Sequence, residues 1–583
     1  MSKSPILINL IGNSKRNTGI GNDMDVFMKE WRKYSLKNKY KTEFRVVDYR
    51  DYKCQFANIN VFFENLNPIF IPYSNYNIFI PNQEYFYTIN NELLKDIDEI
   101  WCKTKYGTTQ FEKIHSNVKY ISWTTFLPED RIKYSTSNRI KEALLIAGKS
   151  ENKNADFVAN HWKPSWPKLH IYYHQDKLTL EKVNQNNIIY HSDFVEASEL
   201  SKIQNKYWYH ICVSSMEGFG HYINEARECG AYIITTKGFP MKEFKCNVEI
   251  NAKKKKLKDR LGCRYNLSEE SFEQELKKVF EVSESDLIEL GKCNRNNFLQ
   301  DYNDFSKLFF KNSARIISMI TKQRRPPIIM RTLDSARYMS SYPDISIVTV
   351  TKNREKLFPL IIDGINKMDY PHHHMEWVIV EDGDENVKDI VEKYCNIPTN
   401  KIKYIRSEGN IGQKRNIGVE NSSHKHIFMF DDDDCYRPNY IKYHLALFKE
   451  APGKQCHYCS TIGVFHLNKM YSMINSPPMA LAPEERVSEA TLVFSKDFWE
   501  QQHFPELNIA EGCGFLKGRI SKTIDLSWEP IFVSFLHDGS TSSRDTYKGE
   551  PNGCHYGFSD KYFEFITNIA ALHSGKKYKQ NKD

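Results

Sequence analysis

Ile427-Phe-Met-Phe-Asp-Asp-Asp-Asp-Cys-Tyr-Arg-Pro438 runs an apolar strand straight into four consecutive carboxylates. Adjacent negative charges repel one another and cannot be buried unpaired. A strand that delivers them into a pocket therefore calls for a hard divalent cation, Mn²⁺ or Mg²⁺. Such ions hold phosphate oxygens, which points to a nucleotide or sugar nucleotide as ligand. An Asp run standing alone would read as a solvated strand-end loop; the surroundings of this one favour the cation.

Working outward, two more apolar runs in the same block end in polar residues, Ile345–Val350 and Trp377–Val380, beside Ile427–Phe430. Short β-branched runs alternate here with longer amphipathic patterns, the signature of strand-helix-strand units and a parallel sheet. In open α/β sheets ligands lie beyond the carboxyl ends of the strands, so the three polar ends are expected to converge on one site. The preceding block alternates in the same way, with strands expected at Ile6–Leu10, Ile78–Ile80, Ala143–Ala147, Ile188–Tyr190, His210–Val213 and Tyr232–Thr235. A basic, proline-bearing connector separates the blocks. The expected division is residues 1–320, with subdomains of about 1–140 and 141–320, a linker at 321–343, and a second domain at 344–583.

The 583 residues exceed one ordinary domain, and 40% hydrophobic with 13% aromatic residues supply ample core. Lys plus Arg total 81 against 73 Asp plus Glu, and a net +8 over so large a surface does not argue for nucleic acid. The densest basic segment, Lys253 to Lys258, lacks interleaved aromatics and reads as a solvated loop. No window approaches about 18 uninterrupted apolar residues and no secretory signal is evident, so a cytoplasmic protein without a membrane span is expected. Thirteen cysteines without a disulfide framework fit free thiols in a reducing compartment. Cys456 and Cys459 form a lone CxxC that does not make a zinc site, and the adjacent His372, His373 and His374 are poorly disposed to share one ion.

Four motifs occur in order in the second block: Ile345-Ser-Ile-Val-Thr-Val-Thr-Lys-Asn-Arg354, Val378-Ile-Val-Glu-Asp-Gly383, Asn410-Ile-Gly-Gln-Lys-Arg-Asn-Ile-Gly418, and the Asp431 to Asp434 run. Over roughly residues 343 to 545 they resemble the family 2 glycosyltransferases of the GT-A fold. The resemblance implies that Thr351, Asn353 and Arg354 form a nucleotide-contacting turn and that Asp382 bonds the uracil or ribose. It implies that Gly412 permits close backbone approach and that Arg415 and Asn416 meet the nucleotide part of the donor. The family's DxD falls on Asp431 and Asp433, with Asp432 between them on the donor side. Asp433 is implied as direct metal ligand, Asp431 as a contact to ribose or metal, and His537, within Phe535 to Arg544, as a third ligand. The chemistry needs such a cation because a diphosphate leaving group develops charge that a Lewis acid neutralises. Inverting transfer also needs a general base. The family's acidic pair is matched by Phe504-Pro-Glu-Leu-Asn-Ile-Ala-Glu-Gly-Cys-Gly-Phe515, where Gly512 stands in place of the second carboxylate. Glu511 is then the implied base and Glu506 the fallback. Trp499 and Trp528 read either as a sugar platform or as core.

In the first block, Ser214-Ser-Met-Glu-Gly-Phe-Gly-His-Tyr-Ile-Asn-Glu-Ala-Arg-Glu-Cys-Gly230 carries Glu217 and Glu225 eight positions apart around Gly218. With Asn17-Thr-Gly-Ile-Gly21 and the lysines Lys149 and Lys153, this resembles the GT-B fold family 4 glycosyltransferases. Gly19 and Gly21 then match a glycine loop, and the lysines match a pair that contacts the diphosphate. Other pieces are altered: the part before Ala143 is short, the catalytic histidine region is represented by Pro81-Asn-Gln-Glu84, and the interdomain turn has become Thr124-Thr125.

The expected architecture is α/β, a GT-B-like pair of Rossmann-type subdomains followed by a GT-A domain. The expected function is Mn²⁺-dependent (or Mg²⁺-dependent) transfer of a hexose from a UDP-sugar to a hydroxyl of a glycan or glycoprotein, with collagen-like hydroxylysine or galactosylhydroxylysine as candidates. The first block is either a second transferase or a non-catalytic accessory module. A different class of reading is a non-catalytic carbohydrate-binding or assembly protein built on degenerate transferase folds. Homodimerisation is left open. Two-part chains of this kind resemble glycosyltransferases of giant DNA viruses, which would place the protein in host cytoplasm.

Overall fold

The computed structural model describes residues 5–13, 18–125, 138–193, 195–323, 325–467, 470–537, 552, 554 and 556–574. Asn17 and residues 538–544, quoted above, lie outside them. The chain forms two compact units. The first comprises Met1–Tyr49, Ala57–Leu66 and Tyr76–Arg325; the second comprises Arg50–Phe56, Asn67–Asn75 and Pro326–Asp583. Among the described residues no helix is long and apolar enough to cross a membrane.

The first unit holds two six-stranded sheets. One runs in the order Thr42–Asp48, Ile6–Gly12, Ala57–Phe63, Ser74–Ile80, Glu99–Cys102, Val118–Tyr120. The other runs Val248–Ile250, Tyr232–Thr236, Tyr207–Cys212, Ile140–Gly148, Leu169–Tyr173, Ile188–His191, with every pairing parallel. Strands buried on both faces read as continuous apolar runs, and Ile8, Leu10, Ile233 and Ile234 are wholly buried. The stretch before Ala143 reads as short yet carries a full sheet, because strands such as Thr42–Asp48 are half-exposed and show no apolar run. Lys253 to Lys256 are not a loop. They lie in Ala252–Lys256, paired antiparallel with Cys263–Leu267, and the lysines stay exposed.

In the second unit a seven-stranded mixed sheet runs Ile402–Arg406, Met375–Asp382, Ile345–Lys352, His426–Met429, Val493–Ser495, Cys456–Tyr458, Thr523–Asp525. The first four are parallel, with Lys352 level with Asp382 and Val348 level with Met429, so their polar ends meet at one edge. A four-stranded sheet, Cys435–Tyr436, Phe532–Leu536, Ile462–His466, Tyr471–Asn475, leads His537 back to the acidic run through the antiparallel register Cys435↔Val533. The core is aromatic: Trp377 stacks on Phe358 at 5.7 Å and Phe430 on Tyr436 at 3.9 Å. Trp528 and Trp499 are buried in it, and the Trp499 indole donates to Asn416 Oδ1 at 2.9 Å, so both are core residues.

Two histidines are fully buried in this core. His444 Nδ1 and His457 Nδ1 lie 3.2 Å apart, so one donates to the other, and burial pushes His444 down to about 3 and His457 well below its usual value. Burial likewise pushes His426 down to about 4. A histidine with a depressed folded value is protonated first in the unfolded chain as pH falls. Each such group therefore costs about 1.4 kcal/mol of stability per pH unit from roughly pH 6.5 down towards its folded value. Replacing His444 by asparagine should make the acid dependence shallower. The stability gap between wild type and His444→Asn, read by hydrogen exchange of residues 440–458, is expected to narrow from pH 6.5 to pH 4.5. A gap constant across that range would show that the histidine carries no such penalty.

Candidate active site

The strand ends position the site. Thr351, at the end of Ile345–Lys352, donates its hydroxyl to Asp432 Oδ2 at 2.6 Å. Asn353 adopts φ 52° and its Oδ1 accepts from Asp384 N at 2.9 Å, which locks this turn to the one that follows Asp382. Gly383 sits there at φ +92°, where a Cβ would lie 2.1 Å from Asn353 Oδ1, so only glycine fits. Asp382 Oδ2 lies 3.1 Å from Lys352 Nζ and 3.2 Å from the buried Lys414 Nζ, and Oδ1 accepts from Gly383 N.

Each of the four aspartates has its own partner, and they alternate as strand-like residues do. Asp432 and Asp434 point inward. Asp434 Oδ1 accepts from Phe535 N at 2.8 Å and Ser534 Oγ at 3.0 Å, which fixes the strand that carries His537. Burial and the neighbouring Asp433 charge push Asp432 up to about 7. Asp433 Oδ2 accepts from Arg354 Nη1 at 2.7 Å and lies 2.9 Å from His537 Nε2; Arg354 Nη1 is also 2.9 Å from that nitrogen. Burial would raise Asp433, but His537 and Arg354 hold it below the usual carboxylate value.

A carboxylate oxygen and an imidazole nitrogen thus converge on one point, with a guanidinium seated against both. The point is built for positive charge, and an oxygen and nitrogen donor pair suits Mn²⁺ or Mg²⁺ whose remaining ligands come from phosphates and water. Asp431, expected to contact the ribose or the metal, does not join them. Asp431 Oδ1 instead takes Arg415 Nη2 at 3.2 Å, and among the described residues no three His, Cys, Asp or Glu side chains gather as a metal-holding group. The physical reason is Arg415 itself, whose side chain is 6% exposed and must be matched by carboxylates.

Arg415 Nε donates to Glu511 Oε1 at 2.9 Å, so Asp431, Arg415 and Glu511 form one buried chain of charge. Burial opposes the Arg415 charge, while Asp431, Glu511 and Glu489 hold the guanidinium protonated. Asn416 does not point at this group. Its amide donates to Phe504 O and accepts from Phe504 N and Trp499 Nε1, pinning the turn before Glu511. Gly412 serves the same turn: a Cβ there would lie 1.8 Å from Pro505 O, so the close approach is made by this chain's own backbone. Glu506, the fallback base, accepts from Gln413 Nε2 at 2.8 Å.

In the first unit the structure brings Lys153, Glu217 and Gly218 together with the Pro81 to Glu84 segment. Lys153 pairs with Glu217, whose Oε1 also accepts from Ser214 Oγ at 2.6 Å, and Gln83 Nε2 donates to Glu217 O at 2.7 Å. A Cβ on Gly218 would meet Asn82 Oδ1 at 2.2 Å and Glu84 Oε1 at 2.8 Å. Burial, with the charges of Glu64 and Glu217, pushes Glu84 up to about 8. Glu225 bonds instead to Gln204 Nε2 at 2.8 Å, and Lys149 is exposed. Gly19 and Gly21 open the helix Gly19–Lys37, where Thr18 caps Gly21 N at 3.1 Å.

Sequence reasoning missed Lys414, Tyr436 and Glu489. Lys414 lies one residue before a named arginine and its burial has no sequence signature. The Tyr436 hydroxyl accepts from Asp431 N at 2.8 Å and donates to Ala490 O at 2.9 Å, tying the acidic run to the Glu489 segment.

Residues 346–479 match the family model "Glycosyl transferase family 2". Poly(ribitol-phosphate) beta-N-acetylglucosaminyltransferase TarS of Staphylococcus aureus is 27% identical over 107 residues, which cover 18% of this chain and 19% of that protein. The uncharacterized glycosyltransferase YwdF of Bacillus subtilis is 32% identical over 98 residues, covering 17% of this chain and 35% of its own length. The chain therefore spans about a fifth of TarS and about a third of YwdF. A crystal structure of S. aureus TarS 1-349 in complex with UDP-GlcNAc superposes with a TM-score of 0.28 and 19% identity, covering 39% of this chain and 66% of that one. The mixed α/β sheet that carries the acidic run thus belongs to a domain of GT-A fold, and its residues 346–479 are the part of the chain similar to the glycosyl transferase family 2 model.

Proposed function

We propose that the second unit transfers a glycosyl group from a UDP-sugar to an acceptor hydroxyl with inversion. The observation that carries this reading is the point at the sheet edge where Asp433, His537 and Arg354 meet beyond the acidic strand. Thr351, Asn353 and Arg354 would bind and orient the nucleotide beside Asp382, and Asp433 with His537 would hold Mn²⁺ or Mg²⁺. When bound, that ion would neutralise charge developing on the diphosphate. Arg354 and Arg415 bring fixed positive charge to the same region, where a departing nucleotide needs it. A carboxylate beside the Glu511–Leu516 helix start would take the acceptor proton. The TarS relative is named for N-acetylglucosaminyl transfer, so UDP-GlcNAc is the first donor to try, followed by UDP-glucose and UDP-galactose. Glycans and glycoproteins are the acceptor class, galactosylhydroxylysine of collagen-like segments among them.

For the first unit the accessory reading is favoured over a second transferase. Lys153, the lysine a diphosphate would need, is already paired with Glu217, and the buried Glu84 lies close enough to that glutamate to feel its charge. The test of the main reading is release of UDP by the full chain from a panel of UDP-sugars. Mn²⁺-dependent release abolished by EDTA is expected. Absence of both UDP release and UDP binding with every donor would sink the transferase reading and leave the carbohydrate-binding one.

A further inference from the structure

Gly512 stands where a second carboxylate was expected after Glu511, and the structure shows what fills that space. A Cβ built on Gly512 would lie 2.8 Å from Glu489 Cγ and 3.1 Å from Glu489 Oε1. The side chain of Glu489, from a separate turn more than twenty residues upstream, therefore occupies the volume that a longer residue at 512 would take. Its carboxylate also reaches the electrostatic neighbourhood of Arg415, alongside Asp431 and Glu511. We infer that Glu489 is the general base of the transfer proposed above, replacing in space the carboxylate that position 512 lacks, and that Glu511 is a positioning residue.

Accessibility separates the two glutamates. The Glu511 side chain is 5% exposed and its Oε1 is held by Arg415 Nε at 2.9 Å, so its lone pairs serve a buried ion pair. Glu489 is half-buried, more exposed than Glu511. Its backbone is nevertheless well fixed. Glu489 O accepts from Leu492 N at 3.2 Å, Ala490 O accepts from Tyr436 OH, and Thr491 Oγ1 accepts from Cys459 N at 2.8 Å. A base must be held within hydrogen-bond reach of the proton it takes, and this turn is tied through Tyr436 to the backbone of Asp431. In the step, the acceptor O–H bond breaks and its proton passes to the Glu489 carboxylate. The acceptor oxygen bonds the anomeric carbon, and the bond from that carbon to the diphosphate oxygen breaks with its electron pair leaving on UDP. Glu489 shares the charge of Arg415 with Asp431 and Glu511, which places its carboxylate beside the same guanidinium.

The inference rests on the transfer reading, and the test separates the two. Full-length wild type, Glu489→Gln, Glu489→Ala and Glu489→Ala/Gly512→Asp are compared in Mn²⁺-dependent UDP release from UDP-GlcNAc, or the panel donor that works, with UDP affinity measured by calorimetry. Glu489→Gln is expected to lower kcat by about 100-fold or more while UDP affinity stays within about twofold, since a base acts on the step and not on nucleotide binding. Gly512 is not among the positive-φ glycines; truncating Glu489 clears one of the two side chains that a Cβ there would meet, and the half-buried Val487, whose Cγ1 lies 2.8 Å away, must shift to admit the aspartate. The relocated carboxylate should restore at least about tenfold of the activity lost in Glu489→Ala. Glu489→Gln turnover within about threefold of wild type, a kcat loss matched by lost UDP affinity, or no recovery on relocation would each overturn the assignment. If wild type binds UDP yet releases none from any donor, it is the transfer reading that fails.

Discussion

Asp433→Ala is expected to remove Mn²⁺-dependent turnover, by about 10³-fold or more, while leaving the chain folded. Asp433 is the one residue of the acidic run that touches both His537 and Arg354. Its loss deprives a cation of its carboxylate ligand and frees the guanidinium from its ion pair, two changes that fall on the departing diphosphate. Packing is little affected, because Asp432 keeps its bond to Thr351 and Asp434 keeps its bonds to the Phe532–Leu536 strand. The measurement is UDP release against Mn²⁺ concentration, with thermal unfolding as the control for folding. Full Mn²⁺-dependent activity in the variant would refute the site.

Arg415→Met should produce the largest loss of stability. Methionine matches the length of the stem but leaves the Glu511 and Asp431 carboxylates without their shared cation. Removing one partner of a buried ion pair costs about 3–5 kcal/mol. The lower half of that range is expected here, because the Asp431 side chain is 33% exposed and water can repay part of its share. Adding Glu511→Gln should recover part of the loss, since the amide carries no charge to strand. Urea unfolding of the single and double variants checks both statements; a loss below about 1 kcal/mol, or no recovery, would mean the guanidinium is not structural.

The expected strands of the second unit all form, because a strand buried on both faces must be an uninterrupted apolar run and such runs are visible. The convergence of the strand ends followed from that, through the rule that parallel strands present their carboxyl ends together, while Thr351, Arg354 and Asp382 were named by the resemblance to family 2 glycosyltransferases. What the sequence hid was partnership. Four aspartates in a row suggest a shared cation, yet Asp434 braces a strand, Asp432 holds a threonine and Asp431 answers a buried arginine. These roles depend on residues 80 or more positions away for Asp432 and Asp434, distances over which no local pattern reports. Glu489 was invisible for the same reason: nothing in Ser488-Glu-Ala-Thr491 differs from an ordinary surface turn, and only its packing against Gly512 gives it meaning. Half-exposed strands such as Thr42–Asp48 escaped because no residue in them is fully buried and an exposed Val46 breaks the alternation, so neither an apolar run nor a clean period of two appears.

The second unit claims Arg50–Phe56 and Asn67–Asn75 as its own, with Tyr73 in its hydrophobic core and Tyr52 5.9 Å from the Trp528 ring. Those residues leave the ribosome some 270 to 295 positions ahead of Ile345, where the first strand of the sheet they pack with begins. The nascent chain must hold them uncommitted until the later half is made, so vectorial synthesis cannot finish the two units one after the other. A gene fragment that begins at residue 344 would encode a catalytic half with a hole in its flank, and swapping modules among such chains would have to carry two short early segments along.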